Sequence, residues 1–167
     1  RHSSMFQARK SGCSQMSFQP QKVRFTSRWY LPSLAGRSVV SKATLAAAMH
    51  LHPLANPTEA ERIAVLGVGG YGRAEMAPQS DVDLLFRTPW KITPWAESVI
   101  ETMLYMLWDL KLKVGHSSRT VKDCLRLGRE DVTIRTALLE HRFISGHAPL
   151  AAELGDRLWG ELFKNSG

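Results

Sequence analysis

The chain has 167 residues, 44% hydrophobic and 22% charged, a balance that suits one globular core and is too short for two large ones. No apolar run approaches the roughly 18 residues that a membrane span needs, and no segment reads as a secretory signal with a cleavage site. The net charge of +7 lies in the first third: residues 1–60 hold eight Lys or Arg against one acid, Glu59, and residues 61–167 hold fourteen of each sign, which argues against a nucleic-acid-binding domain with its basic residues in the folded part.

Residues 1 to about 40 are rich in Ser, Gln and Arg and lack periodicity, so residues 1–50 are expected to be mostly irregular. Their acid-poor composition also resembles an organellar transit peptide. A loose tail or a badly defined gene start is the simpler account, since the chain begins with Arg1 rather than Met. Cys13 and Cys124 have no C-x-x-C partner and fit a reduced, cytoplasmic setting. Lys42 to His52 can form a short helix that Pro53 and Pro57 end. Ile63 to Leu66 reads as a short buried strand, and Asp81 to Phe86 as a second.

Thr93 followed by Pro94 reads as an N-cap and first helical position. That helix is expected to run to about Leu110, with Trp95, Val99, Met103, Met106 and Leu110 near one face. Leu112 to Ser118 is a further strand. Thr120 to Asp123 has the capping-box form and opens a helix to about Leu127. Asp131 is expected to cap a helix ending at Gly146, and a last helix covers about Pro149 to Phe163. The order predicts a small α/β core with a helical C-terminal part.

Gly67-Val68-Gly69-Gly70-Tyr71-Gly72 spells G-x-G-x-x-G after an apolar run. A dinucleotide fold needs a full crossover helix after the glycines and an acid about 20 residues on. Here Pro78 intervenes, the next strand starts at Asp81, and the residues at that distance are Trp90, Lys91 and Ile92. The dinucleotide reading fails.

The residues after the glycines suggest other chemistry. Strand period two puts Asp81 and Asp83 on one face and Val82, Leu84 and Phe86 on the other. Two such carboxylates repel by about 2–3 kcal/mol at roughly 6–7 Å and an effective dielectric near 20. A divalent cation shared by both is the economical partner. Gly69 and Gly70 then let the backbone approach a phosphate. A glycine turn followed by D-x-D suits a nucleoside triphosphate with its Mg²⁺, hence phosphoryl or nucleotidyl transfer. Solvated acids on an exposed edge strand are the plain alternative.

Several other residues carry weaker expectations. Arg73 is either a neutraliser of triphosphate charge or a solvated helix residue. Glu75 reads as a structural acceptor. His116 reads as a core or hydrogen-bonded histidine, and no acid lies between Leu112 and Thr120 to serve as a third metal carboxylate. Glu140-His141 reads as a surface pair. Trp90, Trp95, Trp108 and Trp159 read as core or groove wall rather than base-stacking platforms, and Met103 and Met106 as core.

The stretch "GGYGRAEMAPQSDVDLLF" resembles the nucleotidyltransferase signature of the bacterial PII uridylyltransferases, the bifunctional uridylyltransferase/uridylyl-removing enzymes. "LYMLWDLKLKVGHSSRTVKDCL" and "REDVTIRTALLEHRFISG" resemble the segments after it in that family, and the likeness covers about residues 51–163. It implies an α+β, DNA polymerase β-like core with a short mixed sheet, Mg²⁺, UTP as donor, and a tyrosine hydroxyl of the PII signal protein as acceptor. On this basis Asp81 and Asp83 are the candidate catalytic and metal-binding pair, and Gly69, Gly70, Arg73 and Ser80 the candidate nucleotide-binding set. No nucleic-acid or membrane partner is implied. Ala74 stands where the family usually has glycine. The family's later helical, HD phosphohydrolase and ACT domains are not in this sequence, so uridylyl removal and glutamine sensing are expected to be absent. A truncated enzyme of reduced activity is the leading expectation; an inactive remnant, or a module that binds nucleotide or PII without turnover, is the alternative.

Overall fold

The computed structural model describes residues 33–76 and 80–164. Helix α1 spans Leu34–Leu51, capped by Ser33, whose hydroxyl accepts from the Gly36 amide at 3.1 Å. Strand β1 (Ala64–Gly67) leads into a single helical turn, α2 (Gly69–Gly72). Strand β2 is Val82–Arg87, helix α3 Pro94–Asp109, and strand β3 Val114–Arg119. Helices α4 (Val121–Glu130) and α5 (Val132–Leu139) precede strand β4 (Arg142–Gly146). Helix α6 (Ala148–Leu158) continues into a π-helical turn, Trp159–Phe163.

The four strands lie in the order β3-β2-β1-β4. β1 is antiparallel to both neighbours, while β2 and β3 run parallel and α3 makes the crossover between them. The fold is α+β with a short mixed sheet, as expected.

Strand alternation sorts the core into two layers. Val65, Val82, Leu84, Phe86 and Ile144 pack against Leu45 and Ala48 of α1 and the Val99–Leu107 stripe of α3. Ala64, Leu66 and Leu85 face the other way, against α4, α5 and α6. Cys124 lies in this second layer, where burial pushes its thiol up to about 11.

Four expectations need correction. First, residues 34–50 are not irregular: α1 begins eight residues before Lys42, because Ser33 caps it and the sheet buries one side of it. Residues 1–32 lie outside the described residues. Second, the helix expected from Asp131 to Gly146 stops at Leu139, and Arg142–Gly146 pairs with β1 instead. Pairing to a sheet edge is a long-range gain that local propensity does not register. Third, the buried stripe of α3 is Ala96, Val99, Ile100, Met103, Leu104 and Leu107, so Met106 is only half-buried. Fourth, of the four tryptophans assigned to core or groove wall, only Trp95 packs on the core; Trp90, Trp108 and Trp159 are exposed.

Candidate functional site

The glycine turn and the D-x-D strand meet through the backbone. Val68, the N-cap of α2, donates its amide to the Asp83 carbonyl at 3.1 Å. Gly69 comes next with φ +57°, a left-handed conformation that a side chain would strain. A Cβ placed on Gly69 would lie 3.8 Å from Asp83 Oδ2, so the turn sits over this carboxylate. As first residues of a helical turn, Gly69 and Gly70 have amides with no acceptor inside the turn.

Asp83 is half-buried and Asp81 exposed just before β2, while Val82 between them is buried in the opposite layer. On the far side of Asp83 lies Gly115 of β3, its partner in register. A Cβ on Gly115 would collide with Asp83 Oδ1. The Asp83 carboxylate therefore occupies a slot between two glycines. Burial, and then the charge of Asp81, pushes its carboxyl above the ordinary aspartate range. Desolvation leads because Asp81 is exposed, so solvent screens the mutual repulsion.

Ser80 is placed by α1: Arg37, almost wholly buried, donates from Nη1 to the Ser80 carbonyl, the one immediately before Asp81. The glycine turn is held from the same helix and from β4. Ser41 Oγ lies 3.2 Å from the Tyr71 hydroxyl. Arg142 donates to the carbonyls of Tyr71 (3.0 Å) and Gly72 (3.3 Å), reaches Ser38 Oγ at 3.5 Å, and sits 5.3 Å from the Tyr71 ring centre.

Arg73 is neither a bare solvated residue nor an uncommitted cation. It pairs with Glu75 at 3.1 Å and with Glu140, which holds its guanidinium pKa up. Glu75 is thus an acceptor, as expected, and Glu140 is tied to the glycine turn rather than to His141. His116 is exposed rather than core, with its ring edge-on to Trp108 at 6.5 Å.

Among the described residues no three His, Cys, Asp or Glu side chains cluster as a metal set. The donors available are two hard carboxylates. This suits Mg²⁺, which takes one or two protein carboxylates and fills its remaining positions with water and phosphate oxygens. A cleft of about 870 Å³, walled by Met49, His52, Trp95 and His147, opens instead at the Ile63–Gly146 end of the sheet, away from Asp83. Its two carboxylates are already engaged, Glu59 by Arg62 and Glu61 by Thr58, and no glycine turn overlies them, so the site is assigned by its chemistry and not by its depth.

Sequence reasoning missed Arg37, Gly115 and Arg142. Gly115 carried a signal, since a glycine inside a strand marks close approach of another group. Arg37 and Arg142 carried none, because their partners lie 43 and about 70 residues away in sequence.

An α+β sheet with a glycine turn tied to a neighbouring D-x-D strand has the architecture of a nucleotidyltransferase-like fold. No protein-family model matches the chain. Individual relatives are close: proteins of Cereibacter sphaeroides and Ruegeria pomeroyi are 80% and 71% identical over 129 and 128 residues, 77% of this chain in each case. One of Caulobacter vibrioides is 56% identical over 119 residues, 71% of this chain. All three are named bifunctional uridylyltransferase/uridylyl-removing enzyme, and this chain is homologous to one segment of that enzyme. It spans only 13–14% of the relatives' own length.

Proposed function

We propose that this chain carries the nucleotide site of a PII uridylyltransferase, which transfers UMP from UTP to a tyrosine hydroxyl of the PII protein. The observation that carries the reading is the Asp83 slot: a half-buried carboxylate between Gly69 and Gly115, beside a second carboxylate, under a glycine turn. Asp81 and Asp83 would hold Mg²⁺, which when bound neutralises triphosphate charge. Gly69 and Gly70 offer backbone amides to phosphate oxygens and leave them room. The slot restrains Asp83, so its oxygens are presented in one orientation before ligand arrives. Attack by the acceptor oxygen on the α-phosphorus, with pyrophosphate leaving, then depends on how that oxygen is aligned.

The names of the relatives support uridylyl transfer, and the segment they share includes most of this chain. A second reading, nucleotide binding without turnover, is favoured by the absence of a third acidic ligand among the described residues. Titration with UTP and Mg²⁺, and then a search for labelled UMP on PII, separates them. Binding with transfer supports the enzyme, binding without transfer the module, and no binding overturns both.

A further inference from the structure

The N-terminal half of α1 carries side chains that its own helix does not favour. Arg37 lies in the first turn, where the helix dipole disfavours a cation and where there is no acid. It is also 4% exposed, and a buried guanidinium costs desolvation. Ser41, one turn on, is 1% exposed, and Thr44 is buried as well. A helix serving only as a cover for the sheet would bury apolar residues along this whole stripe, as α1 does from Leu45 onward.

The polar half of the stripe is spent on the two arms of the site. Arg37 and Ser41 are spaced i, i+4 and share a face. Arg37 holds the carbonyl of Ser80, the residue that leads into Asp81, and Ser41 meets the Tyr71 hydroxyl inside the glycine turn. Ser38 joins through Arg142, which also grips the carbonyls of Tyr71 and Gly72. The two arms are thus referenced to one rigid helix as well as to each other.

We propose that α1 is the positioning element of the nucleotide site and that Arg37 is its principal positioning residue, fixing the entry of the D-x-D strand against the glycine turn. The proposal rests on the reading of Asp81, Asp83 and the glycine turn as an Mg²⁺–UTP site. Arg37 is almost wholly buried and donates to the Ser80 backbone carbonyl, so its effect is on the placement of the carboxylates. Removing it should weaken ligand binding while Asp81 and Asp83 remain in the chain.

The test compares the wild-type chain with Arg37→Met, Arg37→Lys and Ser41→Ala, well below their melting temperatures. Two quantities are read: the Kd for UTP with Mg²⁺, and amide hydrogen exchange. Loss of a charge-assisted hydrogen bond should weaken binding about tenfold in Arg37→Met. Arg37→Lys, which keeps the positive charge and can still donate to the Ser80 carbonyl, should recover part of it. Exchange should quicken at Asp81, Val82 and Asp83 and stay unchanged at Leu66 and Ile144. If Arg37→Met does not fold, Arg37→Lys and Ser41→Ala carry the comparison with smaller expected changes. Variants that lose thermal stability while keeping wild-type Kd and wild-type exchange at residues 81–83 overturn the positioning role and leave the site reading intact. A wild-type chain that binds no UTP with Mg²⁺ overturns the site reading, and this proposal with it.

Discussion

Ala74 has φ +67°, in the left-handed region where a side chain other than glycine's is strained. A side chain at this position is therefore unfavourable. Ala74→Gly should raise stability by about 1 kcal/mol, or roughly 2–4 °C in Tm, because the relieved strain exceeds the added chain entropy. Thermal unfolding checks it, and an unchanged or lower Tm would contradict the strain. Asp83 yields a second prediction, from the raised pKa of its carboxyl. The folded state binds its proton more tightly than the unfolded chain. Asp83 therefore costs no stability below the ordinary aspartate range and costs progressively more as pH rises through its folded pKa. Asp83→Asn should accordingly stabilise the chain at neutral pH, with the gain vanishing in acid. Denaturant titrations across pH measure this; a gain that grows toward acid would show the wrong sign of shift.

The elements with local instructions were legible in the sequence. Thr93 caps α3 with Pro94 as its first residue, and Thr120 and Asp123 form the capping box that opens α4. The Thr120 hydroxyl and amide both reach the Asp123 carboxylate, which holds its pKa down. The elements that depend on distant partners were not legible. β4 exists because Ala64–Gly67 of β1 offer it an edge, and its Phe143-Ile144 pair is too short to show a period. The first turns of α1 were hidden because their buried positions, Gly36, Arg37 and Ser41, are not apolar. The consequence is measurable. A chain beginning at Ser41 should melt well below one beginning at Ser33, since it loses the cap, the Arg37 contact with Ser80 and two turns of helix. Equal melting temperatures would show that the start of α1 adds nothing to the fold.

On the scale of the whole molecule, the sheet has two covered faces, and the site sits where β1 ends and β2 begins. Spacing alone singles out Asp81, Asp83, Gly69 and Gly70, and the fold brings Gly69 and Asp83 to within contact range of each other. What spacing did not supply was the support: Gly115 on the neighbouring strand and the α1–Arg142 bracket, each brought in by sheet topology. Among the described residues no helix is long and apolar enough to cross a membrane. The proposed site is local: Asp81 and Asp83 would hold UTP with Mg²⁺ within this segment. Calorimetric titration of the wild-type chain and of Asp81→Asn and Asp83→Asn with UTP, with Mg²⁺ and with EDTA, is the decisive measurement. Binding by the wild type should require Mg²⁺, be lost in each variant without loss of fold, and fade on acidification as Asp83 takes up its proton. UTP binding that survives in both variants, or is indifferent to Mg²⁺, would contradict it.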